Sequence, residues 1–543
     1  MEGSSIQAGA DDPRENREPA RQEGGVASGI ARALKSGFRD LGVLDPRSLA
    51  FFRIMLGSVI VLDVALRLID LQTFYTDFGV LPRSVVLEKY SPAARFSLLM
   101  SSGAGWFQAL MLLITAVSGA CLAAGYRTRL FAVISWVLLV SIQHRNPLII
   151  QGGDVLFRIL VLFAAILPVD RVWTVGASSR TVHQLRPSFL HFAYVAQVAC
   201  VYIVTGAAKY KNAEWRSGLG LPYVLWLHQY TTWLGDLLGS LPLFVLRAMN
   251  AGVLAAEILL PILLFVPWKV PRLRAICIAI MMGFHLAILV TLKVGLFSLL
   301  SITAWMPLLP KGFWETLFSK LKGPFGPRVL EPEASPALLV APAWQRMCKE
   351  WIGVMFLAYL LVWNSSNILP LYRGAMRPDW LKQTALFLGI DQSWEMFSRA
   401  IAADGWFMIP AVRADGSLVD LFAGVEYTGP RRPESLSAAF PGDRWRKYWR
   451  NFLASDRQHQ RMAFGRSLCR RSSQDRDLQR HIEALQIIYI REPIGVDGSH
   501  GPPEKILLWK HECKPGMVEK WEKTLPFDTL PFPKVSSQQA PTK

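Results

Sequence analysis

The chain has 543 residues, 52% of them hydrophobic and 18% charged, with 19 Trp and a mean hydropathy of +0.27. A soluble domain carries about 25% charged residues, so the composition excludes an ordinary water-soluble protein. The formal charge of +18 does not make it a nucleic-acid binder: no nucleic-acid motif accompanies the excess, much of which falls in loops between apolar runs and in 431–480.

Taken in chain order, residues 1–44 are expected as a disordered cytoplasmic tail, since 1–29 are rich in Gly, Ala, Glu and Arg and hold no apolar core of signal-peptide length. Residues 45–370 read as an α-helical polytopic membrane bundle of about nine spans. At roughly 20 apolar residues per crossing, the candidates are 50–71, 107–124, 130–142, 155–169, 189–208, 248–266, 275–292, 296–309 and 351–363. The short ones are expected to lengthen into their neighbours, tilt or re-enter. Segment 223–246 is also apolar, but Gln229, Asp236 and Pro242 mark it as an interfacial helix. Basic loops alternate: Arg32, Lys35, Arg39 and Arg47 precede the first span, Arg127 and Arg129 follow the second, and Arg171 follows the fourth. Lys269 and Arg272 follow the sixth, and Lys311 and Lys320 the eighth. The positive-inside bias then predicts a multi-pass protein of the cell inner membrane, with a cytoplasmic N-terminus and an extracytoplasmic C-terminal domain.

Within the first span, Arg53, Asp63 and Arg67 are ionisable groups that a bilayer disfavours by a few kcal/mol or more unless they are paired. Asp63 and Arg67 lie four residues apart on one helical face, so an ion pair is expected. Residues 371–543 are expected to form a small extramembrane α+β domain. Its hairpin is read from Trp406 to Arg413, the turn Ala414-Asp415-Gly416-Ser417 and a strand from Leu418 to Phe422. A helical stretch over 444–480 and a strand over 487–491 follow. The basic and aromatic run Arg444-Trp445-Arg446-Lys447-Tyr448-Trp449-Arg450 reads as a solvated helix face, or else as a contact with anionic headgroups. The six cysteines include no CxxC and no Cys/His spacing suited to zinc, so no metal site is expected; a Cys469–Cys513 disulfide is left open.

Two polar clusters sit at the mouths of apolar runs. One is His144-Arg145-Asn146-Pro147 with Gly152-Gly153-Asp154; the other is Thr205-Gly206-Ala207-Ala208-Lys209, followed by Glu214-Trp215 and Gly218. A lysine at a span end is either a reactive amine or a side chain that snorkels to the headgroups. His144 and His285 are candidate site groups or hydrogen-bonded packing groups, and Asn146-Pro147 also suits a shaped loop.

The order Arg53, Asp63, Phe74-Tyr75-Thr76-Asp77-Phe78-Gly79-Val80-Leu81-Pro82-Arg83, the two clusters above, Glu257, Pro261, Phe284-His285, Phe297 and Trp394-Glu395-Met396-Phe397 resembles the HTTM family, which contains the vitamin K-dependent gamma-carboxylases. The resemblance covers roughly residues 45–421. It implies a gamma-glutamyl carboxylase-like lyase with a reduced quinone of the vitamin K or menaquinol type as cofactor, and O2 and CO2 as co-substrates. It also implies Lys209 as the base acting on the quinol, His144 as its catalytic support, and Asn146, Trp215 and His285 as cofactor-binding residues. The implied partners are the lipid bilayer and a protein or peptide substrate on the outer face. The chain departs from the carboxylases in having Ala208-Lys209 where they have paired lysines, one residue more before Trp215, and a shorter C-terminal domain. The alternative is a non-catalytic scaffold of the same fold serving transport, immunity or assembly.

Overall fold

A backbone in lipid finds no water to bond, so each apolar run must close its hydrogen bonds internally as a helix. The computed structural model describes residues 42–175, 181–183, 185–266, 271–320, 328–330, 343–369, 373–454 and 456–521. Nearly all of the expected tail 1–44, and the expected domain boundary at 370–371, lie outside the described residues. The bundle is built from α1 (Pro46–Ile69), α2 (Gly105–Ala124), α3 (Thr128–Arg145), α4 (Gly152–Ile166), α5 (Phe189–Tyr210), α6 (Leu243–Leu263), α7 (Pro271–Thr291), α8 (Phe297–Trp305) and α9 (Ala343–Ile368).

Among the described residues, six helices are long and apolar enough to cross a membrane: α1, α2, α5, α6, α7 and α9. The other three expected spans are helical but fall short of that standard. α3 has 18 residues but begins at Thr128-Arg129 and ends on Gln143-His144-Arg145; α4 has 15 residues and α8 only 9. α4 packs on both α3 and α8, and its Arg158 bonds Gln143 at 3.2 Å and pairs with Asp391 at 2.6 Å. Polar groups met by protein rather than lipid remove the need for a full-length apolar crossing. Segment 223–246, expected as one interfacial helix, divides into the short helices Gly220–Trp226 and Trp233–Gly239 and the start of α6.

α1 and α2 approach backbone to backbone, because a Cβ on Gly57 would stand 2.5 Å from the Gly119 carbonyl oxygen. The expected ion pair is present: Arg67 Nε lies 2.6 Å from Asp63 Oδ2. The two terminal nitrogens of Arg53 donate to the carbonyls of Val169, Val172 and Trp173.

The C-terminal domain is an antiparallel sheet packed with helices. Its strands are β1 (Ala403–Met408), β2 (Pro410–Arg413), β3 (Leu418–Asp420), β4 (Val425–Glu426), β5 (Ile482–Pro493) and β6 (Glu504–Glu512); two helices lie between β4 and β5, α10 (Asp443–Phe452) and α11 (Gln458–Ser472). β5 is central, with β1 and β2 end to end along one edge and β6 along the other. The expected hairpin forms, with Pro410 opposite Asp420 and Gly416 taking the left-handed turn position at φ +83°. A disulfide joins Cys469 of α11 to Cys513 beyond β6.

The run 444–450 corrects its sequence reading. It is neither a solvated face nor free for headgroups, since Arg446, Tyr448 and Trp449 are buried. Instead α10 docks on the bundle: the Trp445 ring lies tilted against Phe74 with centroids 4.8 Å apart, and Asn451 Nδ2 bonds the Leu148 carbonyl at 2.5 Å. The helical period gathers the aromatic residues onto one face, where Phe74 of the bundle covers Trp445 and Tyr448.

Candidate functional site

The last turn of α5 carries Lys209. One turn earlier stands Gly206, where a Cβ would meet Ile258 Cγ1 at 2.6 Å, so glycine is what lets α5 and α6 close together. The close approach brings Lys209 Nζ to 2.6 Å from Glu257 Oε1, with both side chains 6% exposed. The Trp215 ring covers the amine, its centroid 4.7 Å from Nζ.

Trp215 is itself fixed. Its indole N–H donates to the Phe397 carbonyl at 2.8 Å, and its own carbonyl accepts from Asn250 Nδ2 at 2.9 Å. Asn250 and Glu257 are seven residues apart, so one face of α6 positions both the indole and the partner of the lysine. Phe397 holds a left-handed backbone at φ +52°, a conformation that persists in a bulky residue only when its surroundings enforce it.

Beside this pair lies a second group. Tyr202, seven residues before Lys209 on α5, accepts from Trp305 Nε1 at 2.8 Å, and its hydroxyl shares a hydrogen bond with His285 Nε2 at 2.7 Å. His285 Nδ1 and Glu257 Oε2 are both buried and have no hydrogen-bond partner among the described residues. The two groups are electrostatic neighbours, Lys209 acting on His285 and Glu257 on Tyr202. The site thus presents two buried polar atoms with hydrogen-bonding capacity to spare, walled by aromatic rings, including Phe297 at 5.6 Å from the His285 ring.

Phe297 also lines a cleft of about 150 Å³. Leu66, Ile69, Phe157 and Leu300 form its apolar side, and Asp63, Asp154 and Arg444 its polar side. Leu66 and Ile69 are exposed. Asp154 also closes the N-terminus of α4 by accepting from the Gln151 backbone N–H at 2.9 Å.

Of the residues singled out from the sequence, the structure brings together Lys209, Trp215 and His285. His144 and Asn146 stand elsewhere. His144 Nδ1 bonds the Phe96 carbonyl at 2.8 Å; Asn146 bonds the Phe74 carbonyl at 2.9 Å and accepts from the Leu148 N–H. Neither touches Lys209, Trp215 or His285 through a hydrogen bond, ion pair or ring contact among the described residues. Tyr202, Trp305 and Asn250 were missed by the sequence reading. Tyr202 and Asn250 had a signal, the seven-residue spacing to Lys209 and to Glu257; Trp305 had none.

No family model, no curated protein and no solved structure matches the chain.

Proposed function

We propose that the chain is an integral membrane enzyme resembling the vitamin K-dependent carboxylases, with Lys209 and Glu257 as the proton-handling pair of a quinol site. The observation that carries this reading is the Lys209–Glu257 contact at 2.6 Å beside the Tyr202–His285 pair. An ammonium is not a base. The pair has two forms, however, ammonium with carboxylate and amine with carboxylic acid, which differ by one proton moved across that contact. Glu257 takes the proton from Nζ, and the resulting amine accepts one from substrate.

The unpartnered Nδ1 of His285 and Oε2 of Glu257 suit a hydroxyl that both donates and accepts, and Trp215 and Phe297 supply aromatic faces for a planar ring. A reduced quinone, when bound, supplies the acidic hydroxyl and, with O2, the oxidative driving force for removing a carbon-bound proton that CO2 replaces. The cleft that Phe297 lines carries the exposed Leu66 and Ile69 in its wall, an apolar edge suited to a lipid-soluble ring. The orientation that fits is the one set by the basic loops, with the sheet domain outside the cytoplasm, and the Cys469–Cys513 disulfide suits such an oxidising side.

The test is oxidation of a reduced naphthoquinone by purified protein in nanodiscs. Lys209→Ala and Lys209→Arg should both abolish it while leaving insertion intact; arginine keeps the charge but does not deprotonate. Protein that neither binds nor oxidises the quinol would sink the enzymatic reading, and an active Lys209→Arg would remove the base role. One observation favours a scaffold instead: a paired, indole-covered lysine is also how a structural intramembrane ion pair is built.

A further inference from the structure

A groove of about 460 Å³ runs between α11 and the residues that follow α1. One wall is a face of α11: His459, Met462, Arg466 and Arg470, spaced three or four residues apart over about 16 Å of helix. The other wall includes Phe78 and Val85, the latter on the short helix Arg83–Lys89. Phe78 is 63% exposed. The acids in the groove are already engaged, Asp77 with Arg83 at 2.8 Å and Glu88 with Lys89 at 2.5 Å. Arg470 donates to the carbonyls of Phe78 and Gly79 and keeps a buried Nε without a partner among the described residues. The Arg466 side chain is exposed and forms no ion pair or hydrogen bond among the described residues. Burial, Arg466 and Arg471 all disfavour the charge on Arg470. A groove with apolar walls and two uncompensated guanidiniums fits an apolar segment that carries an acid.

The chain itself carries such a segment. Beyond Trp521, outside the described residues, the sequence runs Thr-Leu-Pro-Phe twice, at 524–527 and again at 529–532. The first copy is followed by Asp528 and the second by Pro533, so only the first offers an anion. Proline fixes its own φ and favours extension in the residue before it, so a Leu-Pro-Phe segment loses little ordering entropy on entering an aromatic-lined groove. At roughly 3.1–3.3 Å per residue, five extended residues match the length of the α11 wall. The described chain also ends on the side of the domain where the groove lies. Trp521 Nε1 donates to Glu483 Oε2 at 3.0 Å, the Glu483 carbonyl accepts from the Cys513 N–H at 2.9 Å, and Cys513 is disulfide-bonded to Cys469, the neighbour of Arg470. From Trp521 an extended chain reaches about 13 Å to Leu525 and about 23 Å to Asp528.

We propose that this groove is the dock of the chain's own segment Leu525-Pro526-Phe527-Asp528, with Leu525 and Phe527 against Phe78, Val85 and Met462, and Asp528 between Arg466 and Arg470. The tether favours this occupant over a free acidic peptide or a lipid, because a segment held a few residues from its site is present there at an effective concentration in the millimolar range. Docked in this way, the segment covers Phe78, neutralises the guanidinium pair and ties α11 to the residues that follow α1.

The test is photo-crosslinking of the full chain in nanodiscs, with benzoylphenylalanine in place of Phe527 or, for comparison, of Phe532, and adducts mapped by mass spectrometry. Position 527 should give an adduct on Phe78, Val85 or Met462 at the mass of one chain, in several-fold higher yield than position 532. Arg466→Glu should lower that yield by about fivefold, and Arg466→Glu/Asp528→Lys, which reverses the pair, should restore it. Adducts at the mass of two chains would give the groove to a second copy and overturn the intramolecular dock. Adducts only on lipid or elsewhere on the chain, or a yield that Arg466→Glu leaves unchanged, would overturn it as well.

Discussion

Arg444 of α10 donates to Asp63 of α1, a residue 381 positions earlier in the chain. The same guanidinium reaches Asp154 at 3.4 Å, while Arg67 pairs with Asp63 at 2.6 Å and Asp154 at 2.8 Å. Two carboxylates and two guanidiniums therefore form a buried, neutral quartet that fastens the sheet domain to the bundle.

Removing one member leaves an unbalanced buried charge. Arg444→Ala should destabilise the protein by about 3–5 kcal/mol and release the sheet domain to limited proteolysis. Adding Asp63→Asn restores neutrality and should recover part of the loss. Thermal unfolding of the single and double variants checks this, and an additive second loss would show that charge balance is not the cause.

Gly206 sets the separation of α5 and α6. Gly206→Ala forces its Cβ against Ile258 Cγ1, 2.6 Å away, and should destabilise by about 1–3 kcal/mol. It should also reduce any quinol oxidation, because it pushes Lys209 from Glu257. Truncating the obstructing side chain in Gly206→Ala/Ile258→Ala should restore the spacing and a measurable part of the activity.

Burial pushes the Asp404 carboxyl up to about 6, against donors from Gly405, His228 and Gln229 that favour its charged form. The folded protein thus holds this proton more tightly than the unfolded chain, whose ordinary value is 3.8. Stability from this group is present at low pH and is lost as pH rises from about 4 to about 6. Roughly two pH units of difference correspond to ~3 kcal/mol. Asp404→Asn, which mimics the protonated form, should flatten that dependence and stabilise the protein at pH 7, as read by unfolding at several pH values.

The disulfide and the proposed orientation make a joint prediction. A reporter active only outside the cytoplasm should work when fused after Asn364 and fail after Lys311. Cys469→Ser opens a link spanning 44 residues and should lower stability by about 4 kcal/mol if the bond forms in the cell. A stability unaffected by the substitution, with both thiols alkylated in fresh membranes, would place this domain on the reducing side.

Local periodicity made several features legible in the sequence. Apolar runs announced the helices, a four-residue spacing announced Asp63 with Arg67, and an Asp-Gly turn announced the hairpin ending at Asp420. Each depends on neighbours in the chain, whose geometry the backbone fixes by itself. The sequence also singled out Lys209, Trp215 and His285. It did not say that Glu257 would meet Lys209 from another helix, or that Tyr202 would face His285 from 83 residues away, because helix packing decides which faces touch. Packing likewise put His144 and Asn146 to work on the carbonyls of Phe96 and Phe74, and turned Arg444 from an apparent surface charge into the partner of Asp63. Only the tertiary structure decides such pairings, since a charged group removed from water must find its partner wherever the fold places one.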